Sequence, residues 1–135
     1  MRLLAGLLLG LLLVVSLFGS SPRPAMPATL REHLAALTGP NAKDCGAFVA
    51  FELGGQQQNK VLECVKSALG QSEPFSFNEN QISIDVVYSR GWVRTSKGSL
   101  LSYQYYDGNI NTSSCPDPNV YTQGRSLNYA CEKPK

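Results

Sequence analysis

The chain has 135 residues, 43% of them hydrophobic, and a formal net charge of +2. Arg2 and Arg23 carry that excess, because from Thr29 onward ten Lys/Arg balance ten Asp/Glu. A near-neutral chain with no Lys/Arg cluster lacks the basic footprint of a nucleic-acid binder, and the length allows one domain beyond a targeting segment.

Met1-Arg2 precedes an uncharged run, Leu3–Phe18, nine of whose residues are leucine. One positive charge followed by a long apolar run is the pattern of a secretory signal. The run also borders on the roughly 17–25 residues of a membrane span. Gly19-Ser20-Ser21, Ala25 and Ala28 make poor cleavage sites. Residues 1–20 therefore read as a signal peptide or a retained signal anchor, and residues 21–28 as an extended Pro-rich linker. The first cysteine is Cys45, so a lipid-modified N-terminal cysteine is not expected. In either case residues 29–135 form a single extracytoplasmic domain, and membrane contact is limited to an uncleaved N-terminal segment.

Thr29-Leu-Arg-Glu32 fits a capping box. It opens a short helix with a Leu30, Leu34, Leu37 stripe, stopped by Gly39-Pro40. Cys45–Phe51 reads as a short extended segment. Gln57–Leu69 is the main helix: Val61, Leu62, Cys64, Val65, Ala68 and Leu69 make a wide apolar stripe, with Gly70 expected at C′.

Phe75 and Phe77 lead to Asn78-Glu79-Asn80, which reads as a bulge or turn. In Ile82–Ser89, Ile82, Ile84, Val86 and Tyr88 share one parity, as in a strand with one buried face. Ser89-Arg-Gly91 and Ser96-Lys-Gly98 read as turns, flanking strands Trp92–Thr95 and Leu100–Tyr106. Residues 107–119 read as a turn-rich loop, and Val120–Thr122 and Leu127–Ala130 as short strands. The expected architecture is α+β: one main helix packed on an antiparallel β-meander of three to five strands, with two disulfides.

Four cysteines in an exported chain imply two bridges. The most local closures are Cys45–Cys64 and Cys115–Cys131. The absence of a C-x-x-C pair and the distance to the only histidine argue against zinc.

The order Asp44-Cys45-Gly46, Cys64, Ala68-Leu69, Pro74-Phe75, Ile84-Asp85, Tyr106-Asp107 resembles small exported bacterial proteins of uncharacterised function, over residues 44–107. The resemblance implies the compartment and the helix-then-sheet order, and no activity. The layout also resembles cystatin-type helix-on-sheet folds.

No catalytic constellation is evident, and neither a metal nor a cofactor is implied. His33 lies in the first helix with no recognisable partner. Asp107, Asn109, Asn111 and Ser113 alternate like the start of a calcium loop, but Thr112 and Pro118 stand where its glycine and glutamate belong. Asn111-Thr-Ser113 matches a glycosylation sequon. If Val93 points to the core, Trp92 and Arg94 face outward and Tyr106 joins them in a binding patch. The opposite register would bury Trp92. The expected role is an exported, non-enzymatic module binding a protein or cell-envelope component. The alternatives are a small envelope hydrolase using Asp85 with Glu79 or Asp107, or a membrane-tethered structural domain.

Overall fold

The computed structural model describes residues 26–50, 55–82, 87–123 and 126–132. The N-terminal apolar run and positions 83–86, with Ile84, Asp85 and Val86, lie outside them. Helix α1 (Ala28–Thr38) is followed by β1 (Lys43–Val49), α2 (Gln56–Gln71), β2 (Phe75–Ile82), β3 (Val87–Arg94), β4 (Leu100–Tyr106), β5 (Asn109–Ser114), β6 (Asn119–Gln123) and β7 (Ser126–Ala130). Strands β1 to β5 form one sheet in chain order, and β6–β7 form a separate hairpin.

The architecture is α+β, and the sheet is mixed. Strands β2 to β5 make an antiparallel meander, whereas β1 lies parallel to β2. A parallel pair needs a crossover of a dozen or more residues, and α2 supplies it.

Each face of the sheet has its own cover, the α2-side one reaching as far as β3. On one side α2 buries Val61, Leu62, Val65 and Ala68 with Phe48, Phe75, Phe77 and Trp92. On the other side α1 buries Leu30 and Leu34 with Val93, Tyr103 and Tyr105. The expected single roof is therefore split between two helices, and Tyr103 lies under α1. The β6–β7 hairpin extends the α2 layer. Tyr129 meets Phe77 and Trp92 edge-on, with ring centroids 5.0 and 5.5 Å apart, and the Leu127 N–H donates to Gln58 Oε1 at 2.7 Å.

Helix α1 stops at Gly39 as expected, whereas its start and the end of α2 differ from the capping expectations. The N-cap of α1 is Pro27, without a side-chain cap. Thr29 sits inside the first turn, where its hydroxyl bonds the Tyr105 hydroxyl. Helix α2 runs past Gly70 to Gln71. Ser72 takes the left-handed conformation (φ 57°), and the Glu73 N–H closes on the Ala68 carbonyl at 3.1 Å. Among the described residues no helix is long and apolar enough to cross a membrane.

The strand boundaries correct the expected turns. Strand β2 continues through Asn78-Glu79-Asn80, and all three side chains are buried. Strand β3 continues through Ser89-Arg90-Gly91. Residues 109–114, read as loop, form β5. It follows a two-residue turn in which Asp107 (φ 47°) and Gly108 (φ 77°) both have positive φ, the requirement of a type I′ hairpin.

The two disulfides are Cys45–Cys64 and Cys115–Cys131. The first pins α2 to β1. The second ties the end of β5 to the residue after β7. With sequence separations of 19 and 16, each contributes about 3 kcal/mol in the chain-entropy account. Two such bridges fit an oxidising, extracytoplasmic environment.

Candidate binding site

The register places four residues in each cross-sheet row. On the α2 side Phe77 and Trp92 are followed outward by Ser102 and Ser113. The next row is Glu79, Arg90, Gln104, Asn111. Carrying the same register one step on gives Gln81, Tyr88, Tyr106, Asn109. The α2 layer covers the first two strands of these rows, and the outer strands stay open: Gln104, Asn109, Asn111 and Ser113 are exposed, and Tyr106 is 52% exposed.

Trp92 does not belong to this surface. It is 1% exposed, packed against Phe77 and Tyr129. Val93 and Trp92 do point to opposite faces, but the second face is roofed by α2 and the hairpin. Arg94 shares the α2 face and is half-buried, with its Nε buried and without a hydrogen-bond partner among the described residues. It pairs with Leu100, six residues along β4 from Tyr106. At about 3.3 Å per residue the two lie roughly 20 Å apart, so Arg94 and Tyr106 do not form one patch. The arginine that neighbours Tyr106 is Arg90.

Arg90 is held rigidly. Its Nε donates to Glu79 Oε2 at 2.8 Å, and its terminal nitrogen donates to Oε1 at 3.1 Å. The guanidinium carbon sits 5.3 Å from the centre of the Tyr129 ring. The Tyr129 hydroxyl donates to Glu79 Oε2 at 2.6 Å. Glu79 is 4% exposed, whereas the Arg90 side chain is 43% exposed. The hydrogen bond donated to Glu79 raises the Arg90 pKa against the opposing effect of burial. The result is a fixed, half-open guanidinium, neutralised from below. Beside it lies a cleft of about 310 Å³ lined by Phe48, Gln58, Gln81, Gln123, Leu127 and Asn128 together with Glu79 and Arg90.

A second polar chain runs on the α1 side of β2. The Tyr103 hydroxyl lies 2.9 Å from the Phe77 carbonyl and 2.8 Å from Asn78 Oδ1, sharing its proton between them. Asn78 donates to Asn80 Oδ1 at 2.6 Å, which also accepts from Ser89 at 2.9 Å. All four residues are at most 1% exposed, so this chain fixes the core and faces no ligand.

Burial pushes both phenols up: Tyr103, with Asp44 adding, and Tyr129, with Glu79 adding. Their charged forms are disfavoured only in the folded protein. Stability from this source is complete below the ordinary phenol pKa of 10.0 and is lost as pH rises above it. The unfolding free energy from urea melts is expected to fall above about pH 10, by about 1.4 kcal/mol per pH unit for each of the two tyrosines. A flat profile between pH 10 and 11.5 would contradict their buried placement.

Asp85, the first carboxylate of the hydrolase alternative, lies outside the described residues, and the other candidate groups that are described are not brought together. Both oxygens of Glu79 are engaged by Arg90, Tyr129 and Gln81. Asp107 lies in the exposed β4–β5 turn, two strands and three residues from Glu79, roughly 14 Å away by sheet spacing. That exceeds the roughly 5–9.5 Å of a glycosidase pair. Asn109, Asn111 and Ser113 line one face of an extended strand and do not wrap a cation. His33 is exposed on α1. Among the described residues no group of three metal-ligating side chains occurs.

A larger groove of about 540 Å³ lies between α1 and β1. Its buried polar group, Thr38, is satisfied by the Leu34 carbonyl at 3.0 Å, and its charged groups, Arg31, Lys43 and Asp44, are exposed. It lacks the organised polar floor of the Arg90 cleft. Arg90 lies 11 residues from Glu79 in sequence and Tyr129 lies 50 from it, so only the fold reveals the site. Compared with protein-family models, curated proteins and solved structures, the chain matches none.

Proposed function

We propose that this chain is an exported, non-enzymatic interaction module, delivered by its N-terminal apolar segment and binding a protein or cell-envelope component through the α2-side surface of β3, β4 and β5. The observation that carries this reading is the contiguous run Tyr88, Arg90, Gln104, Tyr106, Asn109 and Asn111. Tyrosine and arginine are enriched at binding hot spots. Tyr, Ser and Asn also dominate adaptable recognition surfaces, because tyrosine supplies contact area at low entropic cost and amides adapt their hydrogen bonds. Glu79 offsets the one cation, so the surface favours a neutral polar partner over a nucleic acid.

The test is affinity capture from the extracytoplasmic fraction with wild type and Tyr106→Ala. Tyr106 is 52% exposed and outside both core clusters, so the variant is expected to fold normally and lose its retained component, with at least a tenfold weaker affinity for a hot-spot residue (about 1.4 kcal/mol). Identical retention by the two proteins would contradict this reading.

A further inference from the structure

The two edges of the five-stranded sheet are unlike. At β1 the edge carries the charged pair Lys43 and Asp44, and its register shifts between Asp44 and Ala47. Gly46 takes φ 85° there, and Asp44 Oδ1 accepts the Gly46 N–H at 2.8 Å. Charges and a kink are how natural sheets block pairing at an edge. The β5 edge has neither. Its six residues, Asn-Ile-Asn-Thr-Ser-Ser, are uncharged, contain no proline, and pair with β4 in unbroken register.

The hydrogen-bond phase of β5 follows from one contact. The Cys115 N–H donates to the Leu100 carbonyl at 2.9 Å. Bonded and non-bonded pairs alternate along an antiparallel ladder, so Ser113, Asn111 and Asn109 also bond inward to β4. The main-chain groups of Ile110, Thr112 and Ser114 therefore point away from the sheet, and no described strand meets them.

This free edge is symmetric. The Asp107–Gly108 turn bounds it on one side, and Pro116, which has no N–H, bounds it on the other. Thr112 lies midway. An antiparallel copy centred on Thr112 sets Thr112 against its own counterpart and Ile110 against Ser114 of the other copy. Every outward N–H and C=O is then used. Within Asn109–Ser114 no charges meet across the axis, Asp107 and the Asp117 of the other copy falling beyond the paired strands, and a Thr–Thr pair is a favourable cross-strand neighbour.

We propose that two copies of this chain pair through β5, antiparallel about a two-fold axis at Thr112, joining their sheets into one. The interface uses the strand edge, and so it stands apart from the face assigned above to the partner.

Sedimentation equilibrium of the disulfide-bonded full chain tests this directly. The wild type is expected to show a monomer–dimer equilibrium. Thr112→Pro removes both bonds of the central pair and is expected to raise the dissociation constant at least about thirtyfold. It leaves the melting temperature nearly unchanged, because an outward N–H on an edge strand is where proline is tolerated. Thr112→Lys, which sets like charges across the axis, is expected to give a similar loss without altering the backbone and keeps the test decisive if the proline variant does not fold. A wild type that stays monomeric at every concentration would overturn the proposal. So would a dimer indifferent to both substitutions, or a monomer whose β5 amides gain exchange protection only when an extended peptide is added.

Discussion

Gly91→Ala is expected to destabilise the fold by about 4 kcal/mol, read as a loss of urea midpoint at unchanged slope. Gly91 is not a turn residue. It lies inside β3 opposite Tyr103, and its φ is not positive. Its role is space. A Cβ built there falls 2.1 Å from the Phe77 carbonyl oxygen and 3.0 Å from the Tyr103 hydroxyl. The first contact is with backbone, so strands β2 and β3 have to move apart. The second displaces the hydroxyl that reaches Phe77 and Asn78, leaving buried polar groups without partners, each costing about 1–3 kcal/mol. Tyr103→Phe separates the two effects: it removes the hydroxyl without the clash and is expected to cost about 1–3 kcal/mol. An alanine variant as stable as wild type would mean that the Tyr103 ring does not cross β3 at this glycine.

Glu79→Ala is expected to cost about 2–3 kcal/mol by the same measurement, because it strands the buried Tyr129 hydroxyl and unpairs Arg90, whose 43% exposed side chain regains water. The penalty belongs to the broken set more than to the intact pair. Replacing Glu79 and Arg90 together by leucine is therefore expected to recover the part of the loss that belongs to the ion pair, while the Tyr129 hydroxyl stays without its acceptor. Additive losses in that double-mutant cycle would contradict the coupling. The double variant also loses the fixed guanidinium, so it is expected to fold and yet bind its partner poorly.

Much of the framework is legible in the sequence. The stripe from Val61 to Leu69 marks α2, cysteine spacing points to the two local bridges, and the short apolar pieces near Val120 and Leu127 mark the final hairpin. The errors share a cause. Alternation tells which residues share a face but not what covers it, so the side bearing Trp92 reads as open until α2 and Tyr129 are seen to roof it. Asn78-Glu79-Asn80 reads as a break because three polar residues seldom continue a buried strand. Their partners, Tyr103, Arg90, Ser89 and Tyr129, are brought to them only by the fold. Gly91 reads as a turn because glycine more often supplies positive φ than room for a neighbouring ring. Arg94 attracts attention because Arg90, equally close to Trp92 in sequence, reads as part of the Ser89–Gly91 turn, whereas β3–β4 pairing brings Arg90 toward Tyr106.

The central claim is a sheet covered on both faces, and the chain's single tryptophan reports on it. Acrylamide quenching of native protein is expected to leave Trp92 largely protected and its emission blue-shifted, with both properties lost together on unfolding. A native emission at the wavelength of the unfolded chain, quenched as readily, would place Trp92 in water and contradict the two-sided core.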